Sequence, residues 1–169
     1  MKLAQLLDAD RIVMDMQATE LWPALIELVD HLVSIGRLPV ELYEPVLHAL
    51  WEREQQVSTG IGSGVAIPHT FSDEINEVVT IFGRSTNGID FQAIDNEPVH
   101  YIILFIVPSK DYQLHLFTLS AIAKLFTNCE VRRVLGLAKS KKEILEILSC
   151  KPSRDTTKHI LPPPPARPS

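Results

Sequence analysis

Residues 58–69 read Ser58-Thr59-Gly60-Ile61-Gly62-Ser63-Gly64-Val65-Ala66-Ile67-Pro68-His69, and how this stretch folds decides the organisation around it. It holds three of the chain's seven glycines. Glycine is favoured where the backbone takes a positive φ or must admit a close neighbour, and backbone N–H groups freed in that way can hold an anion. Two readings fit the cluster: a tight turn leading into a strand, or an anion cradle. Other glycine loops are excluded by spacing. The glycines follow a helical pattern and precede a strand pattern, the reverse of a Rossmann turn, and no Gly-Lys-Ser/Thr is present. Ser63 is flanked directly by glycines, so it is not a hydrolase elbow.

Outward from this stretch the hydrophobic period alternates. Upstream, Ile12–Met14 reads as a short strand. Leu21, Leu25, Leu28, Val29 and Leu32 recur with helical spacing between a Thr19 cap and Gly36. A second helix is predicted over Val40–Glu54, with a true start nearer Tyr43 because Pro45 is tolerated only in a first turn. Val65–Pro68, Val78–Gly83 and Val99–Val107 read as strands, the last too continuously apolar to be exposed on either face. Helical spacing returns over Asp111–Phe126, Glu130–Ala138 and Lys141–Leu148. Strands alternating with helices predict an α/β sandwich.

The 169 residues are 46% apolar, 22% charged and 7% aromatic, as expected for one domain large enough to fold without metals or disulfides. That domain is expected over residues 1–150, followed by a proline-rich tail, 151–169, ending Leu161-Pro-Pro-Pro-Pro-Ala-Arg-Pro-Ser. The net charge is −5, and Lys151, Arg154, Lys158 and Arg167 all fall in the tail, so the body is more acidic than the whole. Such a body lacks the basic footprint of a nucleic-acid binder. Cys129 and Cys150 form no CxxC pair and are expected to be small buried hydrophobes in a reducing compartment. There is no zinc-type His/Cys spacing. The amino terminus lacks a signal-peptide core, and Tyr101–Pro108 is far short of the ~18 residues of a membrane helix. A cytoplasmic protein with no membrane span and no cofactor is expected.

Three residues can carry chemistry. His69 follows Pro68 at the end of the strand that the glycines lead into; a neutral imidazole there can attack phosphorus and later release the phosphoryl group. The alternative is a hydrogen-bonded, partly buried ring. His115 shares a helical stripe with Leu119, Ile122 and Phe126, within about 40° of one direction at 100° per residue. It fits either a ring bonded to a backbone carbonyl or a donor beside His69. Arg53, next to Glu54 at the end of the helix that delivers the loop, is the basic residue closest to the loop in sequence and can pair with phosphate oxygens. His31, His48 and His159 read as surface or packing residues, and His100 opens the central strand. Arg132, Arg133, Lys139, Lys141 and Lys142 read as a solvated basic face.

Arg53-Glu54, Ser58-Thr59-Gly60-Ile61-Gly62, Ala66-Ile67-Pro68-His69 and the run from His115 to Leu125 together resemble the type-2 EIIA domains of the bacterial phosphotransferase system, the mannitol/fructose class that includes the nitrogen-regulatory IIA protein. The resemblance extends over nearly all of residues 1–150. It implies a mixed sheet of about five strands sandwiched by helices. It implies that His69 accepts a phosphoryl group from the phosphohistidine of HPr or its nitrogen-branch relative, with His115 as second active-site histidine and Arg53 stabilising the phosphate. Ser58, Thr59, Gly60, Gly62 and Gly64 would form the phosphate-binding loop, and Ile61, Val65 and Phe71 an apolar docking rim.

The chain departs from its relatives after Pro-His: Thr70-Phe71-Ser72-Asp73-Glu74 brings two carboxylates near the site. No EIIB-type cysteine motif or EIIC segment is fused to it, so a separate EIIB component or a regulatory target is the expected recipient. Two functions remain open. One is a relay of phosphoryl groups toward sugar transport; the other is a regulatory protein whose His69 phosphorylation switches its partners.

Overall fold

The computed structural model of the protein describes residues 3–149. Its elements, in chain order, are α1 (Leu3–Leu6), β1 (Ile12–Val13), α2 (Leu21–Ser34), α3 (Tyr43–Gln56), β2 (Gly60–Gly62), β3 (Val65–Ala66), β4 (His69–Ser72), β5 (Val79–Ile89), β6 (Val99–Pro108), α4 (Tyr112–Phe126), α5 (Cys129–Leu137) and α6 (Lys141–Ser149). The proline-rich tail and Cys150 lie outside the described residues.

β6 is the axis of the molecule. It pairs antiparallel with β5 and parallel with both β3 and β4; β1 flanks β5 and β2 flanks β3. Side chains alternate across a strand, so a strand buried on both faces serves two cores. Ile102, Leu104 and Ile106 enter the core under α2 and α3. Tyr101, Ile103, Phe105 and Val107 enter the other, shared with Ile122, Phe126, Leu135 and Ile144 of α4–α6. The unbroken apolar run of β6 therefore reflects a two-sided sandwich, as expected.

The sheet has six strands rather than five. Val65–Pro68 is not one strand. Val65 and Ala66 pair with Tyr101 and Ile102, and His69 resumes the same register opposite Phe105. Between them Pro68 has no N–H to give, and Ile67 turns its N–H away to the Thr59 carbonyl at 3.0 Å. The glycine stretch is itself a strand, β2, which turns back on β3 through Ser63 (φ 58°) and Gly64 (φ 79°). The glycines thus lie in and beside a tight turn between two strands. Gly60 is required for packing, because a Cβ there would lie 2.7 Å from Cβ of Ala93.

The helices fall close to the expected bounds. α2 starts after Glu20 rather than at a Thr19 cap, and Gly36 (φ 76°) follows its end. α3 starts at Tyr43, which leaves Pro45 in the first turn. Cys129 corrects the expectation of a buried thiol: it is the first residue of α5 and is exposed, because Asn128 caps that helix at the surface.

Candidate active site

The site is built on β4. His69 is in register with Phe105, and Phe71 with Val107, so both side chains face the α4 side of the sheet, where Phe105 and Val107 are buried. The apolar stripe of α4 brings His115 onto them. His115 is buried, with ring centroids 4.9 Å from His69 and 4.9 Å from Phe71. Tyr112, one turn earlier, meets Phe71 at 5.6 Å.

His69 is oriented through the backbone. Its Nδ1 lies 2.9 Å from the Ile67 carbonyl oxygen. A carbonyl only accepts, so Nδ1 carries the hydrogen and the lone pair sits on Nε2. Ile67 is tied by its N–H to Thr59, and Thr59 donates both its N–H, at 3.0 Å, and its hydroxyl to the Glu54 carboxylate. A line of hydrogen bonds therefore runs from the end of α3 to the imidazole. Glu54 is buried, which raises its pKa against the lowering effect of the Thr59 bonds and Arg53. The sequence alone assigns Glu54 no role of its own. The signal was its helical spacing from Val46, Leu47 and Leu50, all buried.

Arg53 donates from Nη1 to the Val57 carbonyl at 2.7 Å, which pins its guanidinium over the turn after α3. Burial is the main cause that holds His69 below the usual histidine range; the Ile67 carbonyl opposes it, and the Arg53 charge adds to it. Burial, and then the neighbouring His69, push His115 down to about 4. Both rings are accordingly neutral at pH 7. The arrangement offers a nucleophilic nitrogen, a second ring able to donate one N–H, and a fixed cation nearby.

Not every expected residue joins it. Gly62 is paired with Val65, and the Gly64 carbonyl accepts from His100 and Tyr101. His69 lies four strand positions further along, roughly 13 Å away at 3.3 Å per residue. The backbone N–H of Ser63 is taken by Asp95 at 3.0 Å. Gly62 and Gly64 therefore shape the hairpin tip and are not brought to the imidazole, whereas Ser58 and Thr59 lie at its near end, with the Ser58 hydroxyl accepting from the N–H of Gly60. Val65 is 1% exposed and forms no part of a docking rim. Ile61 and Phe71 are exposed, and α4 adds Tyr112, Leu116 and Phe117, which sequence spacing alone did not mark.

Two of the other described histidines have structural partners, His31 Nε2 lying 2.7 Å from the Asp10 carbonyl and His100 Nδ1 2.8 Å from that of Ser85, while His48 is exposed on α3, 3.9 Å from the Glu52 carboxylate. In the basic patch, Arg132 is tied to the Phe126 carbonyl and Arg133 to Glu130. Among the described residues no cluster of His, Cys, Asp and Glu is placed to hold a metal ion, and no helix is long and apolar enough to cross a membrane.

Residues 5–151 match the family described as "Phosphoenolpyruvate-dependent sugar phosphotransferase system, EIIA 2". The chain is 36% identical over 122 residues to a PTS system fructose-specific EIIA component of Haloferax volcanii, a match that covers 72% of this chain and 78% of that protein. It is 38% identical over 105 residues to a nitrogen regulatory protein of Klebsiella oxytoca, which covers 62% of this chain and 65% of the relative. Its fold superposes on nitrogen regulatory protein IIA-Ntr of Neisseria meningitidis with a TM-score of 0.80 and 30% identity, over 87% of this chain and 99% of that one.

Proposed function

The chain belongs to the EIIA type 2 family of the phosphoenolpyruvate-dependent sugar phosphotransferase system, and on that premise we propose that His69 is the residue through which it accepts and passes on a phosphoryl group. The observation that carries this reading is the pairing of the two rings, 4.9 Å apart, with His69 Nδ1 committed to the Ile67 carbonyl. Nε2 of His69 attacks the phosphorus of a donor phosphohistidine in line. The Nε2–P bond forms as the donor N–P bond breaks, and the electron pair of that bond returns to the donor ring. The ring of His69 gains positive charge in the process, and the Ile67 carbonyl stabilises it through Nδ1–H. His115 donates one N–H to a phosphoryl oxygen, and Arg53, with donors beyond the one given to Val57, faces the same oxygens. Onward transfer is the reverse step toward a recipient.

The donor is an HPr-type carrier, and the recipient an EIIB component or a regulatory target; the exposed Ile61, Phe71, Tyr112, Leu116 and Phe117 give both partners an apolar rim. The reaction takes place in the cytoplasm, on a domain that ends near residue 150. The similarity to a nitrogen regulatory protein supports a second reading, in which added phosphate of about −1.5 to −2 charge changes which protein binds.

Incubation with labelled phosphoenolpyruvate, Enzyme I and HPr should place acid-labile phosphate on the protein and none on His69→Ala. Equal incorporation in the two refutes the reading. His69→Asp separates relay from regulation: unchanged partners indicate a relay, altered partners a switch.

A further inference from the structure

The chain has two tryptophans, and phosphoryl transfer uses neither. They sit together on the outer surface of α2 and α3, across the sheet from His115. Trp22, in the first turn of α2, and Trp51 of α3 meet edge to face with centroids 5.1 Å apart and planes at 73°, yet stay 38% and 36% exposed. With Leu47, His48 and Glu44 they line a groove of about 440 Å³. Past the rings an adjoining groove carries the carboxylates of Glu20 and Asp90. A paired indole surface with acidic ends suits a ligand that is apolar, ring-shaped and basic at one point.

The sequence contains such a ligand. Residues 162–167 read Pro-Pro-Pro-Pro-Ala-Arg. Proline locks φ and favours the three-residue turn of polyproline II, which loses little entropy on binding and docks in aromatic grooves. Residues three apart in such a helix share one edge about 9 Å apart, and the sequence spaces Pro162 and Pro165 by three, with Arg167 two residues further on. The charges are complementary: Lys151, Arg154, Lys158 and Arg167 face one Asp155 beyond residue 150, whereas the acidic excess lies before it. The distance is also within reach. α6 packs against the turn Ala9–Arg11, and the Asp10 carbonyl is bonded to His31 of α2. From His31 back to Trp22 is roughly 14 Å along the helix. The chain from Ser149 to Pro162 can extend to roughly 43 Å.

We propose that the Trp22–Trp51 groove is a polyproline-binding surface and that its occupant is the Pro162–Arg167 segment of the same chain.

Because both tryptophans line the groove, tryptophan emission of the full chain, excited at the red edge where tyrosine does not absorb, reports on it alone. The triple variant Pro162→Ala/Pro165→Ala/Arg167→Glu changes nothing in the described fold and should raise the acrylamide quenching constant about twofold, with a red-shifted emission. Adding a peptide of residues 158–169 to that variant should restore protection. Protection of the wild-type chain should stay constant over a roughly hundredfold range of protein concentration, as an intramolecular contact requires. Equal quenching of wild type and variant overturns the proposal. Protection that grows with concentration also overturns it, because the occupant would then come from a second copy.

Discussion

Acidification should destabilise this protein through His115. In the unfolded chain a histidine titrates near 6.5, whereas in the fold His115 is held at about 4, first by burial and then by His69. The folded state therefore refuses a proton that the unfolded chain accepts. The stability tied to this neutral ring is complete above 6.5 and is lost as the pH falls toward 4. At 1.36 kcal/mol per pH unit the loss is about 3 kcal/mol, a large part of the 5–15 kcal/mol typical of a domain. Urea titrations of wild type and His115→Gln at several pH values between 7 and 4 isolate it. His69, also held below the usual range by burial, loses stability within this window in both proteins, and Asp8, Asp95 and Glu130, lowered by hydrogen bonds and, for Asp8 and Glu130, by arginine neighbours, do so further down the scale. The wild-type curve should drop by about 3 kcal/mol more than the variant's over this window. Parallel curves would refute the reasoning, because His115 would then be solvated and unable to stay neutral beside His69.

Other consequences can be tested separately. Glu54→Gln offers Thr59 one acceptor where the carboxylate offers two, so the rate of phosphoryl acceptance should fall roughly tenfold, the equivalent of one hydrogen bond, and the pH–rate profile should shift while the circular dichroism spectrum stays unchanged. Gly60→Ala forces a methyl group against Ala93 and should cost about 1–3 kcal/mol in thermal or urea unfolding. The buried Arg84 donates to the carbonyls of Met14, Leu135 and Ala138, so Arg84→Met, which leaves those acceptors unpaired, should lower stability by about 2–4 kcal/mol with phosphoryl uptake kept at temperatures where the protein is folded. Cys129 should react with a thiol reagent in the native state at a rate unchanged by mild denaturant.

The helices and the central strand were legible because their side chains repeat with the period of the backbone. Leu21 to Leu32 marks the buried face of α2, and Val99 to Val107 could only be a strand covered on both sides. His69, His115 and Arg53 stood out by chemical type and by resemblance, and the fold places both rings together and Arg53 within electrostatic reach. β2 was not legible. Gly60 and Gly62 have no side chains to alternate, so a strand of glycines reads as a loop. The break at Pro68 was hidden as well, because the register with β6 continues through it. Gly62 and Gly64 are close to His69 in sequence, yet the hairpin turns them away along the strand axis. Glu54 drew no role of its own from the sequence because a carboxylate at a helix end is usually solvated; here Thr59 satisfies it inside.

The central claim is that Nε2 of His69 forms the bond to phosphorus, since Nδ1 is committed to Ile67. Phosphorus and nitrogen-15 NMR of the phosphorylated protein measure this directly. The account predicts one phosphohistidine, at position 69, with the phosphoryl group on Nε2 and Nδ1 still protonated. Phosphate on Nδ1, or on any other residue, would contradict it.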